Sequence, residues 1–155
     1  MTVQKKINIQ NKKARFEFEI LDKYVAGIQL TGTEIKSIRL SQARITESFC
    51  EFNDRGELFI VNMYIQEYMF GHHFNHKPKS ERRLLMNKRE LRSLKKDVEA
   101  KGNTIVPLRL FINDRGFAKL EIALAKGKQT HDKRETIKDR DSKRDLARIK
   151  KSFNA

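Results

Sequence analysis

Apolar and polar residues alternate along several short stretches of the chain, which is the pattern of a β-strand with one buried face. Between Ala14 and Leu21, the apolar residues Phe16, Phe18 and Ile20 alternate with charged residues. This pattern predicts a first strand, which resumes through the sequence YVAGIQL at positions 24–30.

Two later stretches place the same tetrapeptide, Asn-Asp-Arg-Gly, between strand-like runs: CEFNDRGELFIV at 50–61 and LFINDRGFAKLEI at 110–122. The tetrapeptide suits a type I turn in which Gly supplies the positive φ, so each stretch is predicted to be a β-hairpin. In the second hairpin the alternation predicts one buried face shared by both arms. That face would hold Val106, Leu108, Leu110 and Ile112 from one arm and Leu120, Ile122 and Leu124 from the other.

A short helix is predicted over TGTEIKSIRL at 31–40. Thr33 can cap its first amides, and Ile35 and Ile38, three residues apart, would face inward.

A longer amphipathic helix is predicted between the hairpins. Asn87 followed by Glu90 resembles a capping box, and Gly102 is placed to end the helix. Its apolar stripe is predicted to consist of Leu84, Leu91, Leu94 and Val98, which would dock the helix on the sheet.

Together these elements predict a mainly β fold, an antiparallel oligonucleotide-binding-like barrel with two or three flanking helices and a flexible C-terminal tail. The barrel domain is predicted to span residues 1–131. Residues 132–151 hold nine basic and five acidic residues but only three larger apolar ones, too few to offset the cost of ordering the chain. The tail, 132–155, is therefore predicted to be disordered when free and to become helical on a surface.

The charge of the chain predicts a polyanionic partner. Its 155 residues include 34 Lys and Arg against 20 Asp and Glu, a formal net charge of +14. Nucleic acid and an anionic membrane surface both meet that requirement. No apolar run approaches the roughly 18 residues that span a bilayer, and the first residues lack the apolar region of a signal peptide. We therefore expect a cytoplasmic nucleic-acid binder without a membrane partner.

The sequence contains no pattern typical of an enzyme active site, and we expect neither catalysis nor a cofactor. Cys50 is the only cysteine and is expected to be a half-buried apolar residue. His72, His73 and His76 raise the alternative of a zinc or copper site, but no fourth ligand stands at a standard spacing. A mobile, nucleic-acid-facing loop that runs into Lys77 and Lys79 is preferred for this stretch, and no metal is expected.

Basic residues from several segments are the candidate RNA contacts, because together they can neutralise one phosphate backbone. With no Trp and few aromatic residues that look exposed, we expect recognition of a folded RNA shape rather than of stacked bases. The candidates are Lys12, Lys13, Arg15, Lys36, Arg39, Lys77, Lys79, Arg82, Arg83, Lys88 and Arg89. A structural ribosomal-type protein with the same charges is the alternative.

Glu34 is an acid between these basic residues, and two roles are open for it. It can accept hydrogen bonds from base amino groups, or it can be a first-turn acid that favours the helix dipole.

Six ordered stretches resemble the small protein B family, the SsrA-binding proteins of bacterial trans-translation: NKKARFEFEI, GTEIKSIR, RRLLMNKREL, GNTIVPLRLF, AKLEIALAKGK and HDKR. The resemblance implies a barrel that binds the tRNA-like domain of transfer-messenger RNA near its elbow and D-loop, with Asn11 and Glu34 on the RNA surface. It implies no catalysed reaction, and we expect a monomer.

The resemblance also implies a ribosome-binding hinge and tail. The hinge residues would be Lys126, Lys128, His131, Asp132, Lys133 and Arg134. The tail would become helical in the decoding centre of the small ribosomal subunit and the empty messenger channel, using Ile137, Arg140, Arg144, Arg148, Ile149, Lys150 and Lys151. Elongation factor Tu and alanyl-tRNA synthetase would be indirect partners through the RNA.

Overall fold

The computed structural model describes residues 6–128, apart from the side chains of residues 100 and 101. The predictions for the hinge from His131 onward and for the tail lie outside the described residues. In order, the described elements are β1 (Asn8–Gln10), α1 (Lys12–Glu17), β2 (Phe18–Ile28), α2 (Gly32–Arg39), β3 (Ala43–Arg44), β4 (Phe49–Phe52), β5 (Leu58–Val61), β6 (Tyr64–Ile65), a 3₁₀ turn (His72–Phe74), β7 (Arg82–Leu85), α3 (Lys88–Lys101), β8 (Thr104–Ile112) and β9 (Ala118–Gly127).

Six of these strands close a ring. β8 pairs with β9, β9 with β2, β2 with β7, β7 with β5, and β5 with β4, which returns to β8. All of these pairings are antiparallel, so the predicted mainly β, antiparallel fold is confirmed. β1 lies against β8, and β3 pairs with β6 in a separate two-stranded ribbon.

Both hairpins form where they were predicted, and the same side chain organises each turn. The Oδ1 atom of Asn53 accepts hydrogen bonds from the backbone N–H groups of Arg55, at 3.0 Å, and Glu57, at 2.9 Å. Asn113 makes the same two bonds in the second hairpin. Gly56 and Gly116 end the turns with φ of 76° and 84°, a conformation that Gly adopts at low cost.

The prediction of one shared buried face in the second hairpin is wrong for Val106 and Leu108. The register between β8 and β9 shifts between Pro107 and Arg109, which is a β-bulge. Since one extra residue reverses the side of every residue beyond it, Leu110 packs in the barrel interior. Val106 and Leu108 instead pack in a second, outer cluster that includes Ala14.

The predicted first strand is also wrong over its first half, where the chain forms α1. Asn11 caps this helix, because its Oδ1 atom accepts from the backbone N–H of Ala14 at 3.2 Å. The helix buries Ala14 in the outer cluster. A strand that turned Ala14 toward solvent would lose this packing. β2 begins only at Phe18.

The cap of α2 is Thr31 rather than the predicted Thr33. The Thr31 hydroxyl accepts from the backbone N–H of Glu34, and a Glu34 carboxylate oxygen accepts from the backbone N–H of Thr31 at 2.9 Å. This reciprocal pair is a capping box. Ile38 is fully buried in the barrel interior and Ile35 packs against it, as predicted.

α3 follows its predicted cap Asn87 and ends at Gly102, which has a φ of 63°. Leu91, Leu94 and Val98 pack on the barrel interior as expected. Leu84 is not part of this stripe, because it belongs to β7 and is buried there.

Candidate nucleic-acid interface

Glu34 and Arg82 form a buried ion pair between α2 and β7. The Arg82 Nε–H donates to the second Glu34 carboxylate oxygen, and the two side chains are only 2% and 5% exposed. Arg82 donates three further hydrogen bonds inside the protein, to the backbone carbonyls of Met63 at 2.8 Å, Pro78 at 3.1 Å and Lys77 at 3.3 Å. Both residues therefore join α2 to the segment before β7, and neither charge lies free at the surface.

Asn11, predicted to lie on the RNA surface, is likewise almost fully buried. Besides capping α1, its amide nitrogen donates to the carbonyl oxygens of Pro107, at 3.0 Å, and Ile45, at 3.4 Å. These bonds tie α1 to β8 and to the loop after β3. Direct RNA contacts by Asn11, Glu34 and Arg82 stay a prediction, while the observed bonds give all three a positioning role.

Glu47 is an exposed acid that pairs with Lys13 of α1. The Lys13 ammonium donates to a Glu47 oxygen at 2.7 Å. This hydrogen bond and the charge of Lys13 lower the pKa of the Glu47 carboxyl, and Lys79 adds to the effect. The same contact raises the pKa of Lys13. Two lysines predicted from distant parts of the sequence therefore both stabilise the charged form of the Glu47 carboxyl.

Five other predicted cations are exposed on α1, on α2 and in the segment before β7. They are Lys12, Arg15, Lys36, Arg39 and Lys77. With Lys13 and Lys79 they make up what we call the α1–α2 surface. Among these seven cations, Lys13 is the one that forms an ion pair within residues 6–128, so most of these charges remain available to phosphates.

A second group of cations lines a groove of about 510 Å³ between α3, β7 and the first hairpin turn. Arg83 and Lys88 were among the candidates, whereas Arg55, Arg92 and Lys95 were not selected from the sequence. The helical spacing of Lys88, Arg92 and Lys95 would have placed all three on one face. Glu57 is the acid in this groove, and it pairs with Arg83 at 3.0 Å. Arg89 is exposed on the same helix.

The stretch from Tyr68 to His76 is a loop whose conformation is fixed by hydrogen bonds. Asn75 fixes its base, because its Nδ2 donates to the Tyr68 carbonyl at 2.7 Å and its Oδ1 accepts from the Tyr68 N–H at 3.0 Å. Only Gly fits at position 71, where a Cβ would lie 2.7 Å from the Asn75 amide nitrogen. This pinned loop holds three large apolar side chains in solvent: Met69 is 74% exposed, Phe70 66% and Phe74 90%.

His76 anchors the loop from inside and does not face a ligand. Its Nε2 lies 2.9 Å from the Ile65 carbonyl and its Nδ1 lies 3.0 Å from the Thr33 hydroxyl. Because a carbonyl only accepts, Nε2 carries the proton and Nδ1 accepts from Thr33. His72 and His73 are exposed, and within residues 6–128 no three His, Cys, Asp or Glu side chains are grouped to hold a metal ion.

The exposed aromatic side chains of the pinned loop were missed by the sequence reasoning, which expected no stacking surface. Three aromatic residues within seven positions, Tyr68, Phe70 and Phe74, were the available signal. A run of that kind normally indicates a buried segment, so only the structure reveals its exposure.

The first two residues of the predicted hinge, Lys126 and Lys128, lie at the end of the described chain. Lys126 is exposed near the end of β9, and the backbone N–H of Lys128 donates to the Glu17 carbonyl at 2.9 Å. The described chain therefore ends beside the α1–α2 surface. No helix among residues 6–128 is long and apolar enough to cross a membrane.

Comparisons with known proteins identify a family whose members are similar to this chain over most of its length. A family model described as "SmpB protein" matches residues 8–152. An SsrA-binding protein of Flavobacterium psychrophilum is 68% identical over 149 residues, which cover 96% of this chain and 99% of that protein. One of Bacteroides thetaiotaomicron is 52% identical over 146 residues, with 94% and 97% covered.

Among solved structures, the fold is similar to a chain in the work "tmRNA-SmpB: a journey to the center of the bacterial ribosome". The two chains superpose with a TM-score of 0.66 and are 46% identical. The match covers 80% of this chain and 86% of that one.

Proposed function

The chain belongs to the SmpB protein family, and from that membership we propose that it binds SsrA RNA, also called transfer-messenger RNA, and acts in the rescue of stalled ribosomes by trans-translation. The observation that carries this proposal is the 68% identity to an SsrA-binding protein over 149 residues.

The α1–α2 surface is the proposed site for the tRNA-like part of the RNA. Its cations come from α1, α2 and the segment before β7, which are far apart in sequence. Contacts of Lys and Arg with phosphates supply affinity and orientation but carry little sequence information. Recognition therefore depends on how precisely the three segments are held relative to one another.

The buried residues provide that precision. The ion pair of Glu34 with Arg82 fixes α2 against the segment that carries Lys77 and Lys79. Asn11 fixes α1 against β8. We propose that these three residues support RNA binding by positioning the cations rather than by being the main contacts.

The tail is proposed to act on the ribosome. In this proposal the barrel occupies the place of the anticodon arm that the RNA lacks, and the hinge from Lys126 directs residues 132–155 into the decoding centre and the empty messenger channel. A cationic segment with few apolar residues gains order there by binding a polyanionic channel. The protein is a cytoplasmic, non-enzymatic monomer in this account, linked to elongation factor Tu and alanyl-tRNA synthetase only through the RNA.

A binding titration at several salt concentrations tests the proposal. The protein is titrated with transfer-messenger RNA and, separately, with bulk tRNA. We expect tighter binding to transfer-messenger RNA, with an affinity that falls steeply as salt rises because bound counterions are released. Equal affinity for the two RNAs contradicts the proposal. Stoichiometric presence on all translating ribosomes would favour the structural ribosomal protein instead.

A further inference from the structure

A shallow cavity of about 530 Å³ opens beside the pinned loop, and its walls combine aromatic and polar side chains. Tyr64, Tyr68 and Met69 provide flat or polarizable surfaces, and Gln66 and His72 provide hydrogen-bonding groups. Glu67 adds a carboxylate, which can accept a hydrogen bond from a base amino group. A planar heterocycle with polar edges is the kind of ligand that such a lining suits, since its face stacks on a ring while its edge needs partners.

Each of the two tyrosines in this cavity carries a cation over its ring. The Lys36 ammonium lies 5.4 Å from the centroid of Tyr68, and the Arg44 guanidinium carbon lies 4.8 Å from that of Tyr64. A cation beside an aromatic wall can hold the phosphate that accompanies a stacked base. Lys36 also belongs to the α1–α2 surface, so the cavity adjoins the proposed RNA-binding site.

Within the loop, the Phe70 ring packs edge-on against the Tyr68 ring, with 5.6 Å between the centroids, but this contact leaves the apolar side chains of the loop exposed. Met69, Phe70 and Phe74 remain mostly in solvent although Asn75 and Gly71 hold the backbone in one shape. His72 adopts a φ of 46°, a left-handed conformation that is unusual for a residue other than Gly. Exposed apolar side chains on a fixed backbone are typical of a binding surface, and the neighbouring cations favour an anionic ligand.

We propose that this cavity takes one unpaired nucleobase of the bound RNA, stacked against Tyr68 and Met69, with its phosphate beside Lys36 or Arg44. This inference rests on the proposed function and adds to it, because it assigns the protein a contact with a base in addition to contacts with RNA shape and backbone.

Ultraviolet cross-linking tests the contact directly. The protein is irradiated with the tRNA-like domain of transfer-messenger RNA and digested with trypsin, and nucleotide-bearing peptides are identified by mass spectrometry. The whole loop lies in one peptide, residues 56–79, because Pro78 blocks cleavage after Lys77. We expect that peptide to carry a nucleotide.

Affinity measurements on variants complete the test. Tyr68→Ala and Met69→Ala should each weaken binding about fivefold to a hundredfold, the range for losing one base–aromatic stack, and Tyr68→Trp should restore it. Phe117→Ala is the matched control, since Phe117 is 64% exposed but belongs to the second hairpin. Met69 is 74% exposed, so its replacement leaves folding intact, which a urea unfolding curve verifies.

The outcomes separate the two proposals. If the wild-type protein binds the RNA but the Tyr68→Ala and Met69→Ala variants bind as tightly as it does, the base-binding cavity is overturned while the proposed function stands. A cross-link confined to other peptides overturns it equally. If the wild-type protein does not bind the RNA at all, the proposed function fails and the cavity proposal fails with it.

Discussion

Replacing Glu34 with Ala should destabilise the protein far more than replacing a surface acid. The substitution leaves the Arg82 guanidinium buried without a counter-charge, since the side chain of Arg82 is only 2% exposed. Breaking a buried pair in this way typically costs about 3–5 kcal/mol. The carbonyls of Met63, Lys77 and Pro78 still accept from Arg82 but cannot replace a negative charge.

Urea unfolding followed by circular dichroism measures this loss. With a slope of about 2 kcal/mol per molar urea for a domain of this size, the midpoint should fall by about 2 M. Glu81→Ala is the control, because Glu81 precedes Arg82 in the sequence but is exposed. Its free energy of unfolding should change by no more than about 0.5 kcal/mol.

A double variant separates the ion pair from other effects. If Glu34 and Arg82 act as a pair, replacing both with Ala should cost less than the sum of the two single replacements. A direct contact with RNA would instead reduce RNA affinity and leave the urea midpoint unchanged. An unchanged midpoint for Glu34→Ala therefore refutes the positioning role.

Three further predictions follow from other parts of the barrel. Asn11→Ala should lower the free energy of unfolding by about 1–2 kcal/mol, because it removes the cap of α1; a thermal unfolding curve equal to that of the wild type contradicts this. Burial raises the pKa of the Cys50 thiol well above its ordinary value of 9.0. The native protein should therefore resist thiol-labelling reagents at pH 8, and labelling at the rate of the unfolded chain would refute the burial. The stability that the neutral thiol contributes should be lost only as the pH rises above about 9. Gly116→Ala should lower the free energy of unfolding by about 1 kcal/mol, because Gly116 has a φ of 84°. Gly32→Ala should leave the free energy of unfolding unchanged or raise it slightly, because Gly32 lies in the first turn of α2 with open space around it. Chemical denaturation compares the two variants, and equal effects would contradict the argument.

Local chemistry made much of this fold predictable. The Asn-Asp-Arg-Gly turns need only their own residues, because Asn53 and Asn113 bond to the backbone within four positions. The cap and the end of α3 are equally local. Sequence patterns found these elements because the interactions that form them lie inside the pattern.

The errors arose where distant residues decide the outcome. The bulge beside Leu108 depends on the pairing of β8 with β9, and α1 depends on packing Ala14 against both strands. Alternation alone could not show either arrangement. The local pattern predicted Thr33 as the cap of α2, two residues after the actual cap Thr31.

In the candidate site, too, features set by local residues were predictable and features set by distant residues were not. Basic residues on exposed faces could be listed from sequence, but the partner of Glu34 lies 48 positions away in Arg82. Their pairing adds a positioning role for both residues, and their direct contact with RNA stays a prediction. The exposure of Phe74 is a further case, because it depends on the loop shape that Asn75 fixes through its hydrogen bonds to Tyr68.

The central claim is that the barrel binds the RNA while the tail acts on the ribosome. A chain that ends after Lys128 tests it most directly, in parallel measurements of RNA affinity and of ribosome rescue in a reconstituted translation reaction with stalled ribosomes. We expect the shortened protein to keep nearly all of its affinity for transfer-messenger RNA and to support no rescue. Loss of RNA affinity on truncation, or rescue at the rate of the full-length protein, would contradict the claim.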